Sequence, residues 1–296
     1  MKRIINAVIA ALMLILLASC TGKANTAVVP AIQFAAPGAE EIAPPEMASS
    51  IKLDSTTMQV YYIDIPDGET MFKEFNSVSE IASDNVEIIN KTDDGYWLYK
   101  AGDGTLLIDT SAGTWTYSTP LPSAAPDNMP TDAQAQQIAA KEIADSGLKI
   151  GSTSDSGVLS YTTDGDEKIL QKDVIFYPTV DGKNVYGIFR TTVGIGEGGK
   201  TVYFSKQSFE PKAGGEVKLK SIDEVKQSIS KGEFISNAAG ASGTATITDY
   251  ELCYYCDGVA KDGKMYVQPV YVFSAEINNA GESEQIKVFV DAASQA

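Results

Sequence analysis

Thr131-Asp-Ala-Gln-Ala-Gln-Gln-Ile-Ala-Ala-Lys-Glu-Ile-Ala-Asp-Ser-Gly147 is the stretch on which the fold reading turns. Thr131 and Gln134 stand at capping-box spacing. Ala135, Ile138, Ala139 and Ile143 make one apolar stripe, and Gly147 supplies a stop. Strands follow at once: Val158–Thr162, Asp173–Tyr177, Val185–Ile195 and Lys200–Ser205, with Asp181-Gly182 and the Gly196–Gly199 run as their turns. A second helix starts at Ser221, with Glu224 three residues on, and carries Ile222, Val225 and Ile229 to Gly232. Ala245–Tyr255, Met265–Ala275 and Gln285–Val290 are three more strands, the last two a hairpin across Asn278–Gly281. Helices set between runs of strands predict an α+β fold, not a doubly wound parallel sheet. Two or three helices should pack on one face of antiparallel sheets.

Upstream the pattern is almost wholly β. Met58–Ile65 reads as a strand closed by Pro66-Asp67-Gly68, and Phe72–Ala82 as a short helix with Ser77 and Glu80 at capping-box spacing. Tyr96–Lys100, Thr105–Asp109 and Thr114–Ser118 alternate around Gly102-Asp103-Gly104 and Ser111-Ala112-Gly113, which predicts a meander packed by Trp97 and Trp115. The expected organisation is a small β-rich domain over 57–118, a Pro-rich linker over 119–130, a larger domain over 131–291 and a tail over 292–296.

The first nineteen residues carry different information. Lys2 and Arg3 precede an apolar run from Ile4 to Leu17, too short to span a bilayer, and Leu17-Ala18-Ser19-Cys20 follows. This is the layout of a lipoprotein signal peptide over 1–19, with lipid attached at Cys20. Residues 20–56, rich in Ala and Pro, then read as a tether. The expected location is the outer side of a cell membrane or outer membrane, held by acyl chains. The mature chain has 21 basic against 39 acidic residues, a net charge of −18, which disfavours nucleic acid and anionic headgroups as partners.

Composition excludes several chemistries. There is no histidine, so Ser-His-Asp triads, Cys-His pairs and His-containing zinc sites are ruled out. Besides Cys20 only Cys253 and Cys256 remain, in Glu251-Leu-Cys-Tyr-Tyr-Cys-Asp-Gly258. They are candidates for a local disulfide, for inert thiols or for a redox pair. In a regular strand two residues three apart sit about 10 Å apart on opposite faces, so a bridge requires the strand to end or bulge near Cys256.

Ser228-Ile-Ser-Lys231 matches S-x-x-K, but at a helix end and without companion motifs. Gly194-x-Gly196-x-Gly198-Gly199 lies between strands, where no helix N-terminus cradles phosphate. Asp93-Asp94 and Asp164-Gly-Asp-Glu167 lack calcium-loop spacing. Tyr61, Tyr62, Tyr254, Tyr255 and Tyr271 read as sheet packing. No catalytic, cofactor-binding or metal-binding residue is assigned, and no cofactor is expected.

Five segments in order carry a family resemblance: the helix 133–146; Tyr177-Pro-Thr-Val-Asp-Gly-Lys-Asn-Val-Tyr-Gly187; Val193-Gly-Ile-Gly-Glu-Gly-Gly-Lys200; the helix 221–232; and Tyr266-Val-Gln-Pro-Val-Tyr-Val-Phe273 after Asp249–Tyr255. Residues 130–291 resemble the PepSY-like and YycH/YycI-like modules of bacterial extracytoplasmic proteins. The resemblance implies a helix-on-sheet module without enzymatic residues that regulates other proteins by contact. This chain departs from that pattern in carrying Cys253 and Cys256, and in having a lipid site where sensor-kinase regulators have a transmembrane helix. The expected function is a membrane-anchored lipoprotein, not an enzyme, that binds an extracytoplasmic protein or peptide. A thiol–disulfide enzyme and a passive envelope component are the alternatives.

Overall fold

The computed structural model describes residues 27, 29–34, 42–78, 80–82, 85–122, 126–148, 150, 152–163, 166–238, 243–279 and 282–294; of 152–168, 279 and 282 only the backbone is described. Cys20, the leader and Asp164 lie outside the described residues. Among those residues no helix is long and apolar enough to cross a membrane.

The α+β expectation is corrected: the fold is mostly β, and among the described residues seventeen strands joined in one mixed sheet system carry only three α-helices. The meander forms its first part. β3 (Val86–Lys91), β4 (Tyr96–Ala101), β5 (Gly104–Asp109) and β6 (Thr114–Ser118) pair in sequence, antiparallel. β6 then pairs with β11 (Thr201–Gln207), which continues through β10 (Thr191–Ile195) and β8 (Asp166–Val180) to β7 (Ser152–Thr163). The meander is therefore not a small separate sheet, because β6 offers an edge that β11 completes. Trp115 and Phe204, from these two strands, stack at 5.1 Å and 17°. Sealing an aromatic of this size from water contributes about 4–6 kcal/mol as an upper bound.

The second part centres on β16 (Lys264–Asn279). Its first residues, Lys264–Val267, pair with β2 (Thr57–Asp64), whose other edge takes β12 (Lys212–Lys218). From Val270 onward β16 pairs with β17 (Glu282–Asp291), and β14 (Ala245–Cys256) runs along the remaining edge. Pro269 stands at the changeover from β2 to β17. The far edge of β14 receives two short parallel strands, β1 (Glu46–Met47) and β9 (Lys183–Gly187). β13 (Ile235–Ser236) borders β17, and β15 (Ala260–Lys261) forms a hairpin with β16.

β8 and β9 turn through Asp181 and Gly182, and β15 and β16 through Asp262 and Gly263, all four at positive φ. Both are two-residue hairpin loops of the type that matches strand twist. The first joins the two parts of the fold. At its end Gly187 (φ 98°) lies so close to β14 that a Cβ would come 2.0 Å from the Cys256 carbonyl oxygen.

Two helices begin at capping boxes, which satisfy otherwise orphaned N–H groups and contribute about 1 kcal/mol each. α2 (Asp132–Ser146) starts from Thr131 and stops at left-handed Gly147; α3 (Ile222–Ser230) starts from Ser221. α1 spans Gly68–Asn76, not the expected Phe72–Ala82. The Asp67 side chain accepts from the Thr70 N–H, and Ser77 is the C-cap. Alternating residues of the eight-stranded part (Leu106, Ile108, Trp115, Phe204) meet Met71 and Phe75 of α1 and Ala135 and Ala139 of α2 in one core. A second core gathers Val60, Phe189, Val225, Tyr254 and Phe273 around β16.

Segments expected to stand free are packed down. Val29 and Ile42 enter the second core. Ile32 covers Cys253, Tyr255, Val270 and Val272, and Phe34 meets Tyr255 edge-on at 5.2 Å. The Gln33 N–H donates to Asp257 Oδ2 at 2.8 Å. Within the Pro-rich 119–130 stretch, Thr119 N–H donates to the Val202 carbonyl at 2.9 Å, and the Asn128 carbonyl accepts from Gly198 N–H at 2.9 Å.

Candidate functional site

The two thiols come first, because the sequence singles them out. β14 keeps strand geometry from Cys253 to Cys256, its last residue, which puts the two side chains on opposite faces, and both are free buried thiols. Cys253 faces Ile32, Val270 and Val272, whereas Cys256 faces the core that contains Tyr254 and Val185. Burial pushes the Cys253 thiol up to about 12, with the nearby Glu251 carboxylate acting in the same direction. Burial also pushes Cys256 up to about 12. Both shifts disfavour the thiolate that thiol exchange uses.

The other motifs resolve into structure. Ser228 is buried. Its hydroxyl donates to Glu233 Oε2 at 3.0 Å and accepts from Lys220 Nζ at 3.3 Å, so Lys220 takes the place the motif gave to Lys231. Glu233 N–H closes the same turn on the Ser228 carbonyl, which makes the group a helix-end brace. The Gly196–Gly199 run is a hairpin with one 3-10 turn. Tyr61 donates to Asp181 and stacks edge-on with Tyr254 at 5.6 Å, inside the sheet packing the sequence predicted. Among the described residues no three acidic or sulfur side chains gather to hold a metal ion.

β3 and β7 are the outer strands of the eight-stranded part. β3 pairs only with β4 among the described residues. Five of its six residues are exposed, including Ile88 at 63% and Ile89 at 56%. An unpaired edge presents backbone donors and acceptors to any extended chain, and most proteins blunt such edges. β7, at the opposite end, likewise pairs only with β8 among the described residues, and several other edges are short or covered. β13 and β15 have two residues each, and the Glu216 carbonyl of β12 already accepts the Ala27 N–H at 2.7 Å.

Local forces set the shape of this edge. Register slips between Ile88 and Asn90, so Ile89 is a bulged residue and Ile88 lies opposite Tyr99. Beside it Leu98 pairs with Leu107, and Leu107 with Thr116, on the sheet face turned away from α1 and α2. Tyr96 at 44% and Leu107 at 39% are exposed on that other face. The strand end is braced by Lys91, whose ammonium sits 3.7 Å from the Trp97 ring centroid and 3.9 Å from Glu69. The Trp97 ring in turn occupies the space a side chain at Gly68 would need. Glu87 and Asp103 lie toward one end of β3, and Asp93 and Asp94 toward the other. Nothing in the sequence reading marked Ile88 or Ile89; two adjacent isoleucines between Glu87 and Asn90 look the same in a core strand and at an edge.

No protein-family model matches the chain, and no curated protein matches it. Solved structures do. An uncharacterized protein from Eubacterium rectale is 10% identical, with a TM-score of 0.48 over 82% of this chain and 85% of that one. The Bacillus megaterium YpeB C-terminal domain is 13% identical, with a TM-score of 0.34 over 78% of this chain and all of that one. This chain is thus a structural neighbour of a YpeB domain at low identity, and neither likeness carries a function across.

Proposed function

We propose that this protein is an extracytoplasmic binding module, lipid-anchored through Cys20 and without enzymatic activity, that takes an extended peptide segment of another protein onto the β3 edge. The observation that carries this reading is an exposed edge strand bearing Ile88 and Ile89. Main-chain bonds to such an edge supply affinity, and alternate side chains supply selectivity. Acidic residues at both ends of β3 favour a segment with apolar residues between lysines or arginines. The bulge at Ile89 interrupts flat pairing of two copies edge to edge.

A blocked Lys-Val-Thr-Ile-Thr-Val-Lys peptide is the probe. The expected result is saturable shifts of the β3 and β4 amides, slowed hydrogen exchange of the β3 amides, and loss of both in the Ile88→Lys, Ile89→Lys double variant. Both side chains are exposed, so that variant should keep its stability within about 0.5 kcal/mol per site. A peptide with every second amide N-methylated should not bind. Binding that the double variant leaves intact, or no binding at all, would refute the reading. Mass spectrometry of the protein from membranes tests the acyl group on Cys20.

A further inference from the structure

We propose that the cleft walled by α1, by the turn after α2 and by residues 206–210 binds a small uncharged molecule that carries a secondary amide. The cleft measures about 430 Å3 and is separate from the β3 edge. That volume falls in the range of small-ligand sites. Pro66, Leu148 and Phe209 give it apolar walls.

Two polar groups at its floor are left with capacity. Lys206, its side chain 2% exposed, donates to both carboxylate oxygens of Glu74 at 2.9 Å, and an ammonium has a third N–H to give. Ser208 also lines the cleft; it is 93% buried, and its hydroxyl has no partner among the described residues. A buried hydroxyl left unpaired is costly, and a ligand that completes it recovers that loss. A secondary amide matches the pair. Its carbonyl accepts from the Lys206 ammonium, and its N–H donates to Ser208 Oγ.

The charge arrangement selects against ions. Glu74 is already paired with Lys206, and at the rim Asp64 is paired with Lys212 at 2.5 Å. An entering carboxylate would meet Glu74, Asp64 and Glu210; an entering ammonium would meet Lys73 and Lys206. A sugar would bring more hydroxyls than these walls can satisfy.

Three probes share one body and differ in charge: N-acetylleucine methylamide (neutral), N-acetylleucine (anionic) and leucine methylamide (cationic). The full chain carries two tryptophans. Trp115 Nε1–H donates to Glu74 Oε2 at 3.1 Å, so its indole NMR signal reports the cleft floor, and the Trp97 indole serves as reference. The expected result is a saturable shift of the Trp115 signal by the neutral probe alone, with a midpoint on the order of 1 mM. Ser208→Ala should weaken it about tenfold, as loss of one buried hydrogen bond does. That variant loses an unpaired hydroxyl, so its probe-free spectrum should stay native. Equal shifts by an ionic probe, no saturation by the neutral one, or undiminished binding to Ser208→Ala would each overturn the proposal.

Discussion

Glu74→Gln should destabilise the protein more than Lys206→Met, although the two residues form one ion pair. The Lys206 side chain is 2% exposed and that of Glu74 27% exposed, so the lysine depends on the pair far more than the carboxylate does. Glu74 takes two bonds from Lys206 and one from the Trp115 indole. Neutralising it leaves an ammonium buried opposite Trp115 without a counter-charge. Removing one partner of a buried pair costs about 3–5 kcal/mol when the survivor cannot reach water. Lys206→Met leaves a carboxylate that still holds the indole bond and still meets solvent, and the new side chain fills the space apolarly. Its expected cost is about 1–2 kcal/mol. Urea unfolding of both single variants and of the double variant at neutral pH measures the asymmetry and the coupling. Equal losses, or a smaller loss for Glu74→Gln, would refute the idea that burial of the ammonium decides which partner matters.

Two further outcomes follow from the same kind of reasoning. Gly187→Ala should cost well over about 2 kcal/mol, because the added Cβ meets the Cys256 carbonyl oxygen at 2.0 Å and the backbone is held at φ 98°; thermal unfolding should show the loss, and loosening of β9 from β14 should appear as faster exchange of the Ile188 N–H, which donates to that oxygen. The Glu142 carboxyl, buried where α2 meets residue 80, is raised above its ordinary value by desolvation. Such a group supports the fold at a pH below its unfolded value of about 4.3 and loses that contribution as pH rises through the higher folded value. Glu142→Gln should therefore be more stable than the parent at neutral pH, and the advantage should vanish near pH 4; an unchanged difference across that window would exclude Glu142 as its source.

Legibility followed the locality of the forces. Both capping boxes and the Trp115 meander were readable, because caps, stripes and alternation lie within a few residues of one another. α1 was displaced because Asp67-Gly68 reads as a turn, while the structure uses Asp67 as a cap and fits Gly68 under Trp97. β12 was invisible: Gly214 and Gly215 among lysines carry no alternation, and the strand exists because β2 lends it an edge. The fold class failed for the same reason, since β6–β11 and β2–β16 pairing joins residues far apart in the chain. The cleft was out of reach too, with Glu74 and Lys206 separated by 132 positions. The sequence leaves a bridge, inert thiols and a redox pair open for Cys253 and Cys256, and β14 puts the two on opposite faces as free thiols.

β16 has one more consequence, for how the molecule comes into being. The strand that β2, β14 and β17 all lean on begins at residue 264, so β2, which also pairs with β12, waits for this second partner until some two hundred further residues have been made. Pairings of such long reach are slow to form. A nascent chain emerging from the ribosome cannot close its centre before that strand is out, and until then it stays threadable through a narrow conduit.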